Sequence, residues 1–124
     1  AQIPIFDSAS GRVLAAFMDD AALEHLLTLA GTEAGERRDR FLADLPGVRD
    51  LGYCEGPSLT LAGVTNLSAP IFDYTGKAVA AITTPFIHRL NSASHVPVPE
   101  ARNALVETCR DLSKRMGAGA AVDR

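Results

Sequence analysis

The sequence predicts an α+β fold, an antiparallel sheet with helices packed on it. Apolar residues recur at helical spacing in three or four separate stretches. The segment Val64–Pro85 reads as two strands joined by a tight turn. Helical and extended stretches come in separate runs, which indicates α+β.

In chain order, residues 3–6 read as the end of an extended segment. Asp7-Ser-Ala-Ser-Gly11 leads into a helix marked by Val13, Leu14, Phe17 and Met18, with Ser8 or Ser10 as its N-cap. Asp19-Asp20 caps a second helix, Ala21 to about Ala30, with Leu23, Leu26 and Leu27 inward and Gly31 as its stop. Glu33 to Asp50 is charged and helical, interrupted by Pro46-Gly47, with Phe41, Leu42 and Leu45 as its apolar contacts. Gly52-Tyr-Cys54 reads as a short strand, and a loop of small residues, Glu55 to Gly63, leads into the hairpin. After Pro85-Phe-Ile87 comes an irregular stretch with His88, Asn91, Ser92, Ser94 and His95. Pro97 and Pro99 precede a final helix, Glu100 to about Met116, with Ala101, Leu105, Cys109, Leu112 and Met116 as its buried stripe. One domain is expected over residues 1–117, followed by a frayed tail over 118–124 that takes Gly117 with it at the boundary. A lone hairpin is marginal in water, and the chain opens at Ala1 on an apolar run with no initiator Met. Both point to a fragment that lacks the N-terminal part of its domain.

The 124 residues suffice for one domain and not for two substantial ones. A net charge of −3, with Arg37, Arg38 and Arg40 interleaved with acids, argues against a nucleic-acid-binding face. No apolar run reaches the roughly twenty residues of a membrane span, and no signal peptide opens the chain, so no membrane partner is expected. Two cysteines cannot build a disulfide framework, so a cytoplasmic location is the default.

The hairpin carries the most information about function. Asn66, Ser68, Thr83 and Thr84 interrupt strands otherwise as apolar as those of a sheet covered on both sides. Buried amides and hydroxyls need hydrogen-bond partners, and a small polar ligand could supply them. Asn66 and Ser68 share a face by alternation. A four-residue turn, Asp73–Gly76, sets Thr83 opposite Asn66, whereas a G1 bulge at Gly76 sets Thr84 there; Thr83 is the preferred assignment. Ser8-Ala-Ser-Gly11 is the second candidate, because the amides of Ala9, Ser10 and Gly11 open a helix N-terminus that suits a carboxylate. Serine caps helices generally, so composition alone favours a plain cap. Cys54 could face a pocket as a nucleophile, but neither it nor Cys109 has a histidine at a telling spacing. A packed thiol is the commoner reading. No metal-ligand spacing, P-loop or GxGxxG is present, and no cofactor is expected.

Two segments together resemble a family. Pro4-Ile-Phe-Asp-Ser-Ala-Ser-Gly-Arg-Val-Leu-Ala-Ala-Phe17 resembles the "P-x-H-x-[ST]-A-x-G-[KR]-x-x-L-A" segment of IclR-type transcriptional regulators. Gly52-Tyr53, Asn66-Leu-Ser-Ala-Pro-Ile-Phe-Asp73, Gly76 and Ala80-Ala-Ile82 resemble the "GYA … AVPVFD..G.v.aAlsvsgp" region of their C-terminal effector-binding domain. Leu105, Leu112, Ser113 and Gly117 match its closing helix. The resemblance implies a GAF-like sensor domain without catalytic activity, a small organic acid as effector, and a homodimer or homotetramer. It also implies DNA binding only through a winged helix-turn-helix that this chain lacks. Carried over by position, the pocket residues are Ala9 and Ser10 at the helix start, Asn66, Thr83 and Pro85 on the sheet, and Gly56 where the family has an acid. Gly56 removes a carboxylate, Pro85 replaces a hydroxyl and removes a ladder donor, and Phe6 stands where the family often has His. All three departures make a larger or more apolar acid the expected effector. The rivals are a thiol enzyme using Cys54 and a pure dimerisation module whose pocket is vestigial.

Overall fold

The computed structural model describes residues 5–30, 35–58, 61–87 and 97–118. The expected helix stop at Gly31, the stretch from His88 to His95 and residues 119–124 lie outside them. Where an extended segment was expected, Ile5–Asp7 forms a 3-10 turn. Helix α1 (Ala9–Ala16) follows, then α2 (Asp20–Ala30) and α3 (Gly35–Leu51), strands β1 (Cys54–Pro57), β2 (Val64–Phe72) and β3 (Ala78–Ile87), and helix α4 (Val98–Arg115).

The strands form one antiparallel sheet in the order β1-β2-β3. Paired residues share a face. Cys54 pairs with Ser68, Pro70 with Ala81 and Ser68 with Thr83. Cys54 and Ala81 pack against a core of Phe6, Val13, Ala15, Ala16, Phe41, Leu45 and Val48, so this is the face that α1 and α3 cover. On the opposite face lie Leu67 and Ala69, both fully buried, where the Cys109 thiol of α4 donates to the Ala69 carbonyl at 3.6 Å. The sheet is thus sandwiched at β2, as its apolar strands required.

Helix α3 runs unbroken through Pro46, which corrects the expected interruption. A proline inside a helix costs about 3 kcal/mol, but Phe41, Leu45 and Val48 recur at spacings of four and three and are all buried. Each such side chain gains about 1.5–3 kcal/mol from burial, while Pro46 and Gly47 sit on the exposed side. In contrast, α2 has no buried residue, and Leu23, Leu26 and Leu27 are only half-buried against the core. Asp19 caps α2, accepting from Ala22 N at 2.8 Å.

Strand β1 begins at Cys54 and takes in Glu55, Gly56 and Pro57, so the expected loop starts only after Pro57. The hairpin register differs from both alternatives. At the turn, Asp73 N donates to Lys77 O and Gly76, at φ +82°, donates to Asp73 O. This is the glycine bulge, and Phe72 pairs with Ala78. A second slip between Ile71 and Phe72 then sets Ile71 against Ala80, leaving exposed Val79 as the extra residue. Asn66 therefore faces Pro85, Ser68 faces Thr83 and Thr84 faces Leu67.

The second slip suits the prolines. Pro70 and Pro85 fall in pairs of the same parity, the ones in which backbone N and O turn away from the partner strand. Val64, of that parity in β2, accepts from Ser58 N on the β1 side. Pro85 therefore removes no donor from the β2–β3 ladder, contrary to expectation; its nitrogen lies on the outer edge of β3.

Helix α4 ends in a Schellman cap: Gly117, at φ +88°, donates to Lys114 O, and Ala118 donates to Ser113 O, both at 3.0 Å. Buried Ala118 therefore belongs to the fold and not to a frayed tail. Met116 is 52% exposed, and the buried place that the stripe assigned to it is taken by Ser113.

Candidate functional site

A cavity of about 400 Å³ opens between the start of α1, helix α3 and strands β1 and β2. This lies within the 300–1,000 Å³ typical of small-molecule sites. Asp7, Ala9 and Arg12 form one wall, Arg40, Asp44, Gly47, Val48 and Leu51 another, and residues 53–57 with Asn66 the sheet side.

The start of α1 is shaped by its cap. Ser8 Oγ accepts from Gly11 N at 2.7 Å and lies 3.2 Å from Ser10 Oγ. The N–H groups of Ala9 and Ser10 have no acceptor among the described residues, as the first positions of a helix leave them. Gly11 differs, because its amide is taken by the cap and its Cα packs beneath Ile5. Arg12, 8% exposed, ties this wall together: Nη1 donates to Phe6 O at 2.9 Å, Nε to Asp44 Oδ2 at 2.9 Å, and the guanidinium lies over the Phe41 ring.

The structure brings Ala9, Gly56 and Asn66 together on the cavity. Ser10 and Gly11 adjoin it without lining it. Ser68, Thr83 and Pro85 stand elsewhere: Thr83 Oγ1 donates to Ser68 Oγ at 3.0 Å, and Pro85 is exposed opposite Asn66. Buried Ser68 therefore has its partner within the sheet. The Asn66 amide has none among the described residues, so the polar group that faces the cavity is the one left open. At Gly56 an added Cβ would meet nothing within 4 Å, so the missing side chain widens this wall.

The charges of α3 and β1 were not anticipated. Arg40 belongs in the sequence to the cluster Arg37, Arg38 and Arg40, which reads as a solvated helix face, and nothing in the sequence singles out Asp44. Asp7 accepts from Arg37 Nη1 at 2.9 Å, and Glu55 from Arg102 Nη1 at 3.2 Å, with Arg102 also over the Tyr53 ring. The Cys54 thiol lines the cavity, but burial pushes its pKa above the usual 9.0, the nearby carboxylates of Asp44 and Glu55 add to this, and Arg12 opposes it. A thiol held neutral is a poor nucleophile. Cys109 is buried in the α4 stripe, and its pKa is likewise raised by burial. His25 lies exposed on α2; His88 and His95 lie outside the described residues. Among the described residues no group of three His, Cys, Asp or Glu is placed to hold a metal, and no helix is long and apolar enough to cross a membrane.

Residues 1–114 match the family model described as bacterial transcriptional regulator IclR C-terminal. The Pca regulon regulatory protein of Pseudomonas putida is 29% identical over 100 residues, which are 77% of this chain and 32% of that protein. The chain thus spans about a third of that curated relative. The structure is similar to Pseudomonas aeruginosa HmgR, with 31% identity and a TM-score of 0.66 over 95% of this chain and 47% of that one. It is similar to the C-terminal domain of the E. coli transcriptional regulator KdgR, with 25% identity and a TM-score of 0.75 over 94% and 73% of the two chains. It also shares its fold with a double mutant of the PobR inducer-binding domain from Acinetobacter, in complex with 3-hydroxybenzoic acid. The identity there is 20% and the TM-score 0.68, over 90% and 66% of the two chains.

Proposed function

The chain belongs to the family of bacterial transcriptional regulators defined by the IclR C-terminal domain, and from that membership we propose that the cavity binds a small organic acid as effector. The observation that carries this reading is the convergence of unpartnered donors on one cavity. The Ala9 amide at a helix start, with its positive dipole end, and the Asn66 side chain both face it. Val48, Leu51 and Pro57 supply apolar surface on the same walls. The open space at Gly56 supports an acid with some bulk, and the hydroxybenzoate complex of PobR supports an aromatic one.

In this reading the protein is a sensor. Effector binding would shift an equilibrium between arrangements of a cytoplasmic dimer or tetramer, and with it the DNA affinity of a winged helix-turn-helix carried elsewhere in the full-length regulator. The protonated Cys54 thiol weighs against the enzymatic rival, and an open cavity at Asn66 weighs against a vestigial pocket.

A thermal-shift screen of small aromatic and aliphatic acids tests the proposal. An acid at about a hundred times its Kd should add about 2.7 kcal/mol of stability. If no acid raises the melting temperature of the folded protein, the sensing role is wrong.

A further inference from the structure

We propose that Arg40 supplies the counter-charge that restricts the effector to monocarboxylates. This rests on the reading of the cavity as the effector site. Three carboxylates line it, and each already has an arginine: Asp7 has Arg37, Asp44 has Arg12 and Glu55 has Arg102. Arg40 also lines it and has no partner among the described residues. The walls together with their paired arginines therefore carry one unanswered positive charge.

Asp44 stands one helical turn after Arg40, at the spacing where an arginine and an aspartate normally pair. It is engaged instead by buried Arg12, at 2.9 Å from Nε. That bond keeps Asp44 from quenching Arg40. A single carboxylate entering the cavity completes the set of charges. A neutral ligand leaves Arg40 partly desolvated with nothing to answer it. A dicarboxylate brings a second negative charge among Asp7, Asp44 and Glu55, whose arginines are already committed. The guanidinium also offers a planar fork that matches one carboxylate in two hydrogen bonds.

Titration calorimetry with benzoate, benzamide and terephthalate, on the wild type and on Arg40→Gln, tests the assignment. Arg40 is exposed and makes no bond to the fold, so the ligand-free variant should melt where the wild type does. The wild type is expected to prefer benzoate over both other probes. Arg40→Gln should weaken benzoate about ten- to a hundredfold, the worth of a hydrogen bond to a charged group, and benzamide, relieved of covering an unanswered guanidinium, should bind at least as tightly as it does to the wild type. Arg40→Lys should restore part of the benzoate affinity, returning the charge without the planar fork. Equal benzoate affinity in wild type and Arg40→Gln, tighter binding of terephthalate than of benzoate, or no benzoate binding at all would each overturn the role of Arg40. The effector reading itself falls only if the whole acid screen fails.

Discussion

At Gly11 an added Cβ would lie 2.6 Å from the Ile5 carbonyl oxygen and 2.9 Å from Ser8 Oγ. The first contact is with backbone, which cannot swing aside, and the second is with the capping oxygen. Gly11→Ala is therefore expected to destabilise the protein by about 1–3 kcal/mol, the usual cost of overpacking, measured by urea denaturation. It should also weaken acid binding, because displacing Ser8 shifts the adjoining Ala9 amide. A variant as stable as the wild type would mean that the 3-10 turn yields freely. The glycine stood out in the sequence as an opening for a ligand; its physical role is close packing, which no composition argument distinguishes from openness. Arg12 is the converse case. It occupied a motif position in the sequence, yet its burial and its bond to Asp44 depend on α3, thirty-two residues further along the chain.

At the scale of elements, Ser113 joins α4 to the hairpin. Its hydroxyl donates to Cys109 O at 2.7 Å and accepts from Phe72 N at 2.9 Å, fully buried. Phe72 sits beside the strand slip, where its N–H is turned from β3. Ser113→Ala would leave that amide without an acceptor, at a cost of about 1–3 kcal/mol. Hydrogen exchange should show the Phe72 amide losing more protection than its neighbours; unchanged protection would mean that water replaces the hydroxyl. The same region marks the limit of what the sequence could tell. Helix positions and the hairpin were legible because each depends on local spacing, and the bulge at Gly76, with its positive φ, was legible only as the alternative to the preferred four-residue turn. The second slip was not, because Val79 carries no turn chemistry and the slip serves prolines placed far apart along two strands. The bulge and the slip, one residue of offset each, together replace Asn66–Thr83 by Ser68–Thr83, and so remove Thr83 from the cavity. The α3 wall was missed for a related reason: Phe41, Leu45 and Val48 fix which side of that helix turns inward, and Pro46 hid its continuity.

Over the whole molecule the two thiols set an alkaline limit. Both pKa values are raised from 9.0, chiefly by burial. Below that value the thiols are neutral in the folded and the unfolded chain alike, so they leave stability unaffected. Above it the unfolded chain ionises first, and stability falls as pH rises toward the folded values. A denaturation series from pH 7 to 10.5 should show this decline, and a Cys54→Ala, Cys109→Ala variant should show a shallower one; identical slopes would exclude the thiols as its source. The sheet has a limit of another kind. Strand β3 is its last strand among the described residues, and residues 81, 83, 85 and 87 turn their backbone groups outward. Such a row is a template on which stray strands add and chains aggregate. Pro85 sits in that row without a hydrogen to give, so an incoming strand could bond at Ala81 and Thr83 but would lose its ladder one step later. The residue that lies across from the open Asn66 amide thus also acts as a gatekeeper, making β3 a poor seed for fibrils.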